Sequence, residues 1–259
     1  GYASDVLVNV TIMLLILIGG IGFLVWDDIL KYRLSFKNYS LHSKIILVTT
    51  PVLLVGGAIG YFVFEQNYTL QGNGIGEQIL KSFFASTTMR TAGFNTIDYA
   101  GMSPSASLLS DVLMMIGGSP GSTAGGMKIT TITLVFLSMV SMLRGQSDTV
   151  IGKRRVSTIL IKQAAVIILV YAVYILAGTM LICHIEGLPM SNVLFEVISA
   201  VCTVGVTTGI TPHLCALSHI ILIVLMYGGR IGGFTLMLIL GKQNKQPPLR
   251  RPKENILIG

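Results

Sequence analysis

"GEQILKSFFASTTMRTAGF" (residues 76–94) and "MSNVLFEVISAVCTVGV" (residues 190–206) are two versions of one pattern, a short, half-apolar stretch that closes on Thr-x-Gly. Both stretches suit a helix, yet both fall short of the roughly 20 apolar residues that a membrane-crossing helix needs. In a membrane protein such a segment is a candidate re-entrant helix, which dips into the bilayer and returns on the same side. Ser191 is the expected N-cap of the second. The closing tetrapeptides are Thr91-Ala92-Gly93-Phe94 and Thr203-Val204-Gly205-Val206, with their glycines 112 residues apart. Further on, the pairs Gly117-Gly118 and Gly228-Gly229 are 111 apart. Two near-equal offsets mark an internal repeat, each copy reading as span, re-entrant helix, Thr-x-Gly segment, span.

The rest of the chain expects lipid as its solvent. Of 259 residues, 52% are hydrophobic and 11% charged, where soluble domains carry about 25% charged residues; the mean hydropathy is +0.76. Apolar runs from Val6 to Trp26, Ile45 to Phe64, Val112 to Leu143 (interrupted), Ala164 to Cys183 and Leu217 to Leu240 are each long enough to cross a hydrocarbon core. The expected fold class is an all-α membrane protein built from span, pore-helix and span units. The first run, with "IGGIGF" at 18–23, reads as the closing span of an earlier unit, and a chain that starts Gly1-Tyr2 is expected to be a fragment. The expected divisions are 1–43 (closing span and linker), 44–155 (one full repeat), 156–241 (the next) and 242–259 (a tail).

Charge orients the spans. Four of the 18 Lys and Arg lie between Lys31 and Lys44, five between Arg144 and Lys162, and five between Lys242 and Lys253. The positive-inside rule makes those segments cytoplasmic. Residues 65–111 and 184–216 carry only Lys81 and Arg90 against six acidic residues and face the other side. The net charge of +7 is mostly this topological signal and requires no nucleic-acid partner.

A helix that enters from outside points its C-terminal carbonyls, with their partial negative charge, into the membrane, and so attracts a cation. A Thr-x-Gly segment after it, read here as extended, can line a pore with backbone carbonyls that replace an ion's hydration shell. Irregular backbone at that depth is tolerated only where it lines a cavity or is packed in protein.

Several motifs in order, "STTMRTAGFNTID" (86–98), "GGSPGSTAGGMKITT" (117–131), "MYGGRIGGFT" (226–235) and the terminal "ENILIG" (254–259), resemble the membrane subunit of bacterial Ktr-type potassium transporters, within the Trk, Ktr and HKT superfamily. The resemblance covers essentially the whole chain and implies the end of the second and all of the third and fourth of four repeats around one pore. It implies a potassium filter at Thr91, Ala92, Gly93, Phe94, Thr203, Val204, Gly205 and Val206. It also implies a gate in the loop Gly117, Gly118, Ser119, Pro120, Gly121, Ser122, Thr123, Ala124, Gly125 and Gly126, beneath the filter. Arg230 would lie near that loop, raising the barrier to cations or holding loop carbonyls; Lys128 would do the same or reach the cytoplasmic interface. Potassium is the expected cargo, with sodium left open, in a multi-pass protein of the bacterial inner membrane. The resemblance further implies a homodimer in the lipid bilayer with a cytoplasmic, nucleotide-binding regulatory subunit of the RCK/KTN type.

The loop's composition agrees with movement, since five glycines and a proline in ten residues cannot hold a stable helix. Ser119, Ser122 and Thr123 can satisfy the backbone groups left free. Arg230 should face the interior, because a charge at the bilayer centre costs about 2.5–3.5 kcal/mol even on the lenient insertion scale. Arg90 is expected to brace its short helix or face the outer vestibule. An enzyme is not expected: "GSPGSTAGGMKIT" fails the phosphate-binding spacing, with Met127 where Lys is required and Ile129 where Ser or Thr would follow Lys128. A secondary transporter with its substrate site at broken helices stays as the alternative. Cys183, Cys202 and Cys215 lack metal-ligand spacing and read as packing, the four histidines are scattered, and Gly56, Gly57 and Gly60 read as close-contact residues between helices.

Overall fold

The computed structural model describes residues 2–33, 35–146, 148–152 and 154–231. The last apolar run beyond 231, the end of "MYGGRIGGFT", the tail and "ENILIG" lie outside the described residues. Among the described residues, two helices are long and apolar enough to cross a membrane: α3 (Leu41–Glu65), capped by the Ser40 hydroxyl, and α7 (Thr158–Glu186), capped by Ser157. A third candidate is the pair α1 (Val6–Ile21) and α2 (Phe23–Tyr32).

That pair departs from the continuous run expected over Val6 to Trp26, because it bends by 92° at Gly22. The cause is a close approach. Gly22 has φ +88°, and a Cβ there would stand 2.7 Å from the carbonyl oxygen of Pro120, so only glycine tolerates both the backbone geometry and the neighbour. Groups freed by the break bond to the glycine-rich loop: Ser119 N donates to Gly20 O at 3.0 Å and Phe23 N to Gly121 O at 3.2 Å.

The short helices α4 (Ile75–Thr88) and α8 (Met190–Val201) pack against α3 and α7 respectively. Ser191 is not the N-cap of α8. Pro189 takes that position at φ −58°, the helix begins at Met190, and the Ser191 hydroxyl turns to Asn192. The interrupted run forms α5 (Pro104–Met115) and α6 (Ile129–Leu143), separated by the loop. A two-residue-per-strand hairpin, β1 (Val150–Ile151) with β2 (Arg154–Arg155), precedes α7, and α9 (Ala216–Ile231) follows α8. One apolar core joins the two halves through Tyr61, Ala85, Met114, Tyr171, Phe195 and Val201. Among the three glycines of α3, Gly57 meets Ser86 and Gly60 meets Leu109, whereas Gly56 has open space around it; the close-contact reading holds for two of them.

The repeat reappears as a matched pair of clasps. Glu65, at the end of α3, is 0% exposed and accepts from Ser103 N at 2.8 Å, just where α5 starts. Glu186, at the end of α7, accepts from Cys215 N at 2.8 Å, just where α9 starts. Each carboxylate occupies an amide that the helix entrance leaves unpaired. Glu65 also takes Thr69 N and Thr69 Oγ1 at 3.2 and 2.6 Å. Glu65→Ala strands two backbone donors and is expected to destabilise the protein by about 3 kcal/mol, seen as a lower thermal midpoint of the purified full-length protein.

Candidate functional site

The site begins where α4 and α8 end. After α4, Ala92 N donates to Thr88 O at 3.0 Å, four residues back; after α8, Val204 N donates to Ser199 O at 2.8 Å, five back. The turn after α8 is thus one residue longer, which takes the offset from 111 at Thr88 and Ser199 to 112 at the tetrapeptide glycines, and the stretch from Gly205 to Gly228 is one residue shorter than that from Gly93 to Gly117, which restores 111.

The tetrapeptides are not extended, as the sequence reading had them. Thr91 and Thr203 hold φ of +66° and +54°, and Gly93 and Gly205 hold +80° and +92°, while the residues between keep negative φ. For threonine this region costs about 1–3 kcal/mol. The strain occurs twice, at equivalent positions, and is held by hydroxyls of the short helices. Thr88 Oγ1 donates to Phe94 O at 2.7 Å and Ser199 Oγ to Val206 O at 2.6 Å. Gly205 N in turn donates to Ser199 Oγ at 3.2 Å.

Those bonds sort the eight residues. The fourth carbonyl of each segment, on Phe94 and Val206, is tied back to its helix. Among the described residues, no hydrogen bond ends on the carbonyls of Thr91, Ala92, Gly93, Thr203, Val204 or Gly205. Thr91 Oγ1 and Thr203 Oγ1 are shielded from solvent and have no partner among the described residues. The segments lie side by side, since a Cβ on Gly93 would stand 2.6 Å from Val204 O. Eight oxygens without donors, six of them carbonyls, thus gather at one place.

The glycine-rich loop abuts that place. Its neck is closed by Gly117 N to Met127 O at 2.8 Å and Ile129 N to Gly118 O at 3.1 Å. A Cβ on Gly125 would overlap Thr203 Oγ1 and approach Cys202 O to 2.8 Å. On the other side, Thr123 and Ala124 share a cavity of about 320 Å³ with Thr91, Ala92, Gly19 and Gly20. Ser122 Oγ donates to Ser119 O at 2.6 Å, Ser119 Oγ to Pro120 O at 3.2 Å and Thr123 Oγ1 to Gly19 O at 3.5 Å.

Two cations hold the loop. Arg230 Nη1 donates to Thr123 O at 2.7 Å and Lys128 Nζ to Ala124 O at 2.6 Å. Lys128 thus reaches back from the start of α6 to the loop that precedes it. Arg90 is 7% exposed and its Nη2 reaches Thr50 Oγ1 on α3 at 3.5 Å, so it braces α4 against α3. Helix α9 crosses the end of α8 at Gly229, where a Cβ would overlap Val201 O, and Tyr171 Oη donates to Gly229 O at 3.0 Å.

Sequence reasoning missed Glu65 and Glu196, counting both only as charge. Glu196 lies 6% exposed inside apolar α8. An ionisable residue in a short apolar helix is itself a signal, and a threonine-rich stretch, Thr207, Thr208 and Thr211, follows it at loop distance.

Residues 1–249 match the family model described as TrkH, cation transport protein. The chain is 36% identical to the potassium/sodium uptake protein NtpJ of Enterococcus hirae, over 99% of this chain and 58% of that protein. It is 35% identical to the Ktr system potassium uptake protein B of Bacillus subtilis, over 100% of this chain and 58% of that one. The crystal structure of the potassium transporter TrkH from Vibrio parahaemolyticus superposes with a TM-score of 0.73 at 19% identity, covering 92% of this chain and 52% of that chain, which is a likeness of fold. The chain therefore spans little more than half the length of the relatives it matches.

Proposed function

Because this chain belongs to the TrkH family of cation transport proteins, we propose that it forms two of the filter segments, and the gate, of a channel-like potassium uptake protein. The observation that carries the reading is the cluster of donor-free oxygens at Thr91–Gly93 and Thr203–Gly205, held in strained backbone by Thr88 and Ser199. A strand whose φ keeps one sign turns successive residues to opposite faces; alternating sign undoes that and brings successive carbonyls toward one side. Carbonyls so arranged replace the water of a dehydrating cation, and the threonine hydroxyls add an oxygen at the inner end. The ends of α4 and α8, re-entrant in this reading, contribute their partial negative charge.

The loop at 117–126 is the gate. It sits against both segments, and its carbonyls are held by Arg230 and Lys128, whose positive charge opposes a cation below the filter. Opening needs the loop to leave, with the ion gradient and membrane potential as driving force and no covalent chemistry. The protein works in the inner cell membrane of a bacterium as a homodimer, with a cytoplasmic nucleotide-binding subunit; the Ktr system names of the relatives are the support for such a partner. The potassium/sodium wording for NtpJ favours one second reading, a pore that also passes sodium.

Rubidium tracer uptake into potassium-starved cells lacking their own uptake systems tests this in the full-length protein. Saturable uptake, inhibited by potassium more strongly than by sodium, is the expected result; no rubidium uptake by well-expressed protein sinks the reading. In the same assay Arg230→Gln removes one anchor of the loop and the local charge, and is expected to raise initial uptake by about three- to tenfold, a change worth one charge-assisted hydrogen bond.

A further inference from the structure

We propose that Glu196 is a positioning residue for the fourth filter segment, acting on ion preference through the chain that follows Val206. Its carboxylate gathers four donors from a single stretch. Oε1 accepts from Thr207 Oγ1 at 2.5 Å, Thr208 N at 2.9 Å and Thr208 Oγ1 at 3.3 Å, and Oε2 accepts from Thr211 Oγ1 at 2.8 Å. Thr207 Oγ1 also receives Gly209 N at 2.9 Å and meets Thr211 Oγ1 at 3.0 Å.

Ser199 stands one turn further along α8 and holds Gly205 N and Val206 O. Residues three apart share a helix face, so one face of α8 grips the segment continuously from Gly205 to Thr211. Glu196 fixes the outer end of that grip. Among the described residues the third repeat shows no matching clasp: α4 carries Phe84 and Ala85 at the corresponding positions, and Asp98 caps Ala100. The fourth segment is therefore the more rigid of the two, and its rigidity depends on one side chain that touches no carbonyl of the filter.

This inference rests on the filter reading above, and the test separates the two. Rubidium-over-sodium preference is measured in the full-length protein as wild type, Glu196→Leu, Glu196→Gln, Thr211→Val and Gly205→Ser. Preference is a ratio, so a change in the amount of protein in the membrane cancels. Glu196→Leu is expected to lower the ratio about tenfold, as loss of charge-assisted bonds predicts. Glu196→Gln keeps it within about twofold, because an amide oxygen serves the Oε1 donors and the amide nitrogen donates to the Thr211 hydroxyl. Thr211→Val, which removes the Oε2 bond and the Thr207 contact but keeps the Oε1 bonds, lowers it about threefold and decides the matter if Glu196→Leu does not reach the membrane. A wild-type ratio in Glu196→Leu or, in its absence, in Thr211→Val, with Gly205→Ser altered, overturns the positioning role and leaves the filter standing. A wild-type ratio in Gly205→Ser as well overturns both.

Discussion

Gly93→Ala is expected to abolish the preference for rubidium over sodium in the full-length protein while leaving it in the membrane. Two independent costs meet at that atom. The backbone holds φ +80°, which a side chain adopts at about 1–3 kcal/mol, and a Cβ would press to 2.6 Å against Val204 O. The obstructing atom is backbone of the neighbouring segment and one of the donor-free oxygens, so relief moves the oxygen that would hold the ion. A displacement worth 1.4 kcal/mol is already tenfold in binding, and both costs together make a loss of more than about tenfold the expected outcome. Gly205→Ser is the contrast. Its Cβ meets nothing closer than Gly93 Cα at 3.8 Å, although φ is +92°, so it carries the conformational cost without the collision. The substitution at Gly93 should shift competition curves further than that at Gly205. Equal, wild-type curves for both would mean that no ion is held between these segments.

Excision of residues 118–125 is expected to raise basal uptake by about tenfold or more and to make it insensitive to the proposed regulatory subunit. The neck geometry makes the excision tolerable, since Gly117 N already bonds Met127 O at 2.8 Å and the ends to be joined are neighbours. Removing the loop takes away the carbonyls that Arg230 and Lys128 bind and the glycine that abuts Thr203. It also takes away the partner of the broken pair α1 and α2, whose freed groups bond Ser119 and Gly121. Uptake is therefore to be followed together with the thermal midpoint. A stable protein with unchanged or slower uptake would show the loop to be a structural wedge at Gly22 and not a gate.

The two predictions rest on different kinds of legibility. Apolar run length and the basic clusters were readable along the chain, because the cost of leaving backbone groups unpaired in lipid restricts spanning segments to helices of one length. The repeat was readable as well, down to the one-residue difference in offset, although the extra residue at the end of α8 that the later shortening offsets was not. The bend at Gly22 was hidden, since its cause is Pro120, almost a hundred residues away, and an "IGGIGF" motif is as compatible with a straight, closely packed helix. Ser191 was misplaced as a cap because Pro189, two residues earlier, already sets the chain's entry into the helix.

By itself the sequence determined the solvent, the number and order of apolar segments, the internal repeat and the place where the backbone must leave regular structure. These follow from composition and spacing, which local chain geometry converts directly into helices and breaks. Only the tertiary structure decided the φ alternation at Thr91 and Thr203, the tying back of Phe94 and Val206, the reach of Arg230 to Thr123, and the work of Glu65 and Glu196. Each of those is a contact made when separate helices pack, and a residue's partners across a packed interface are set by how the elements cross, which no local spacing encodes.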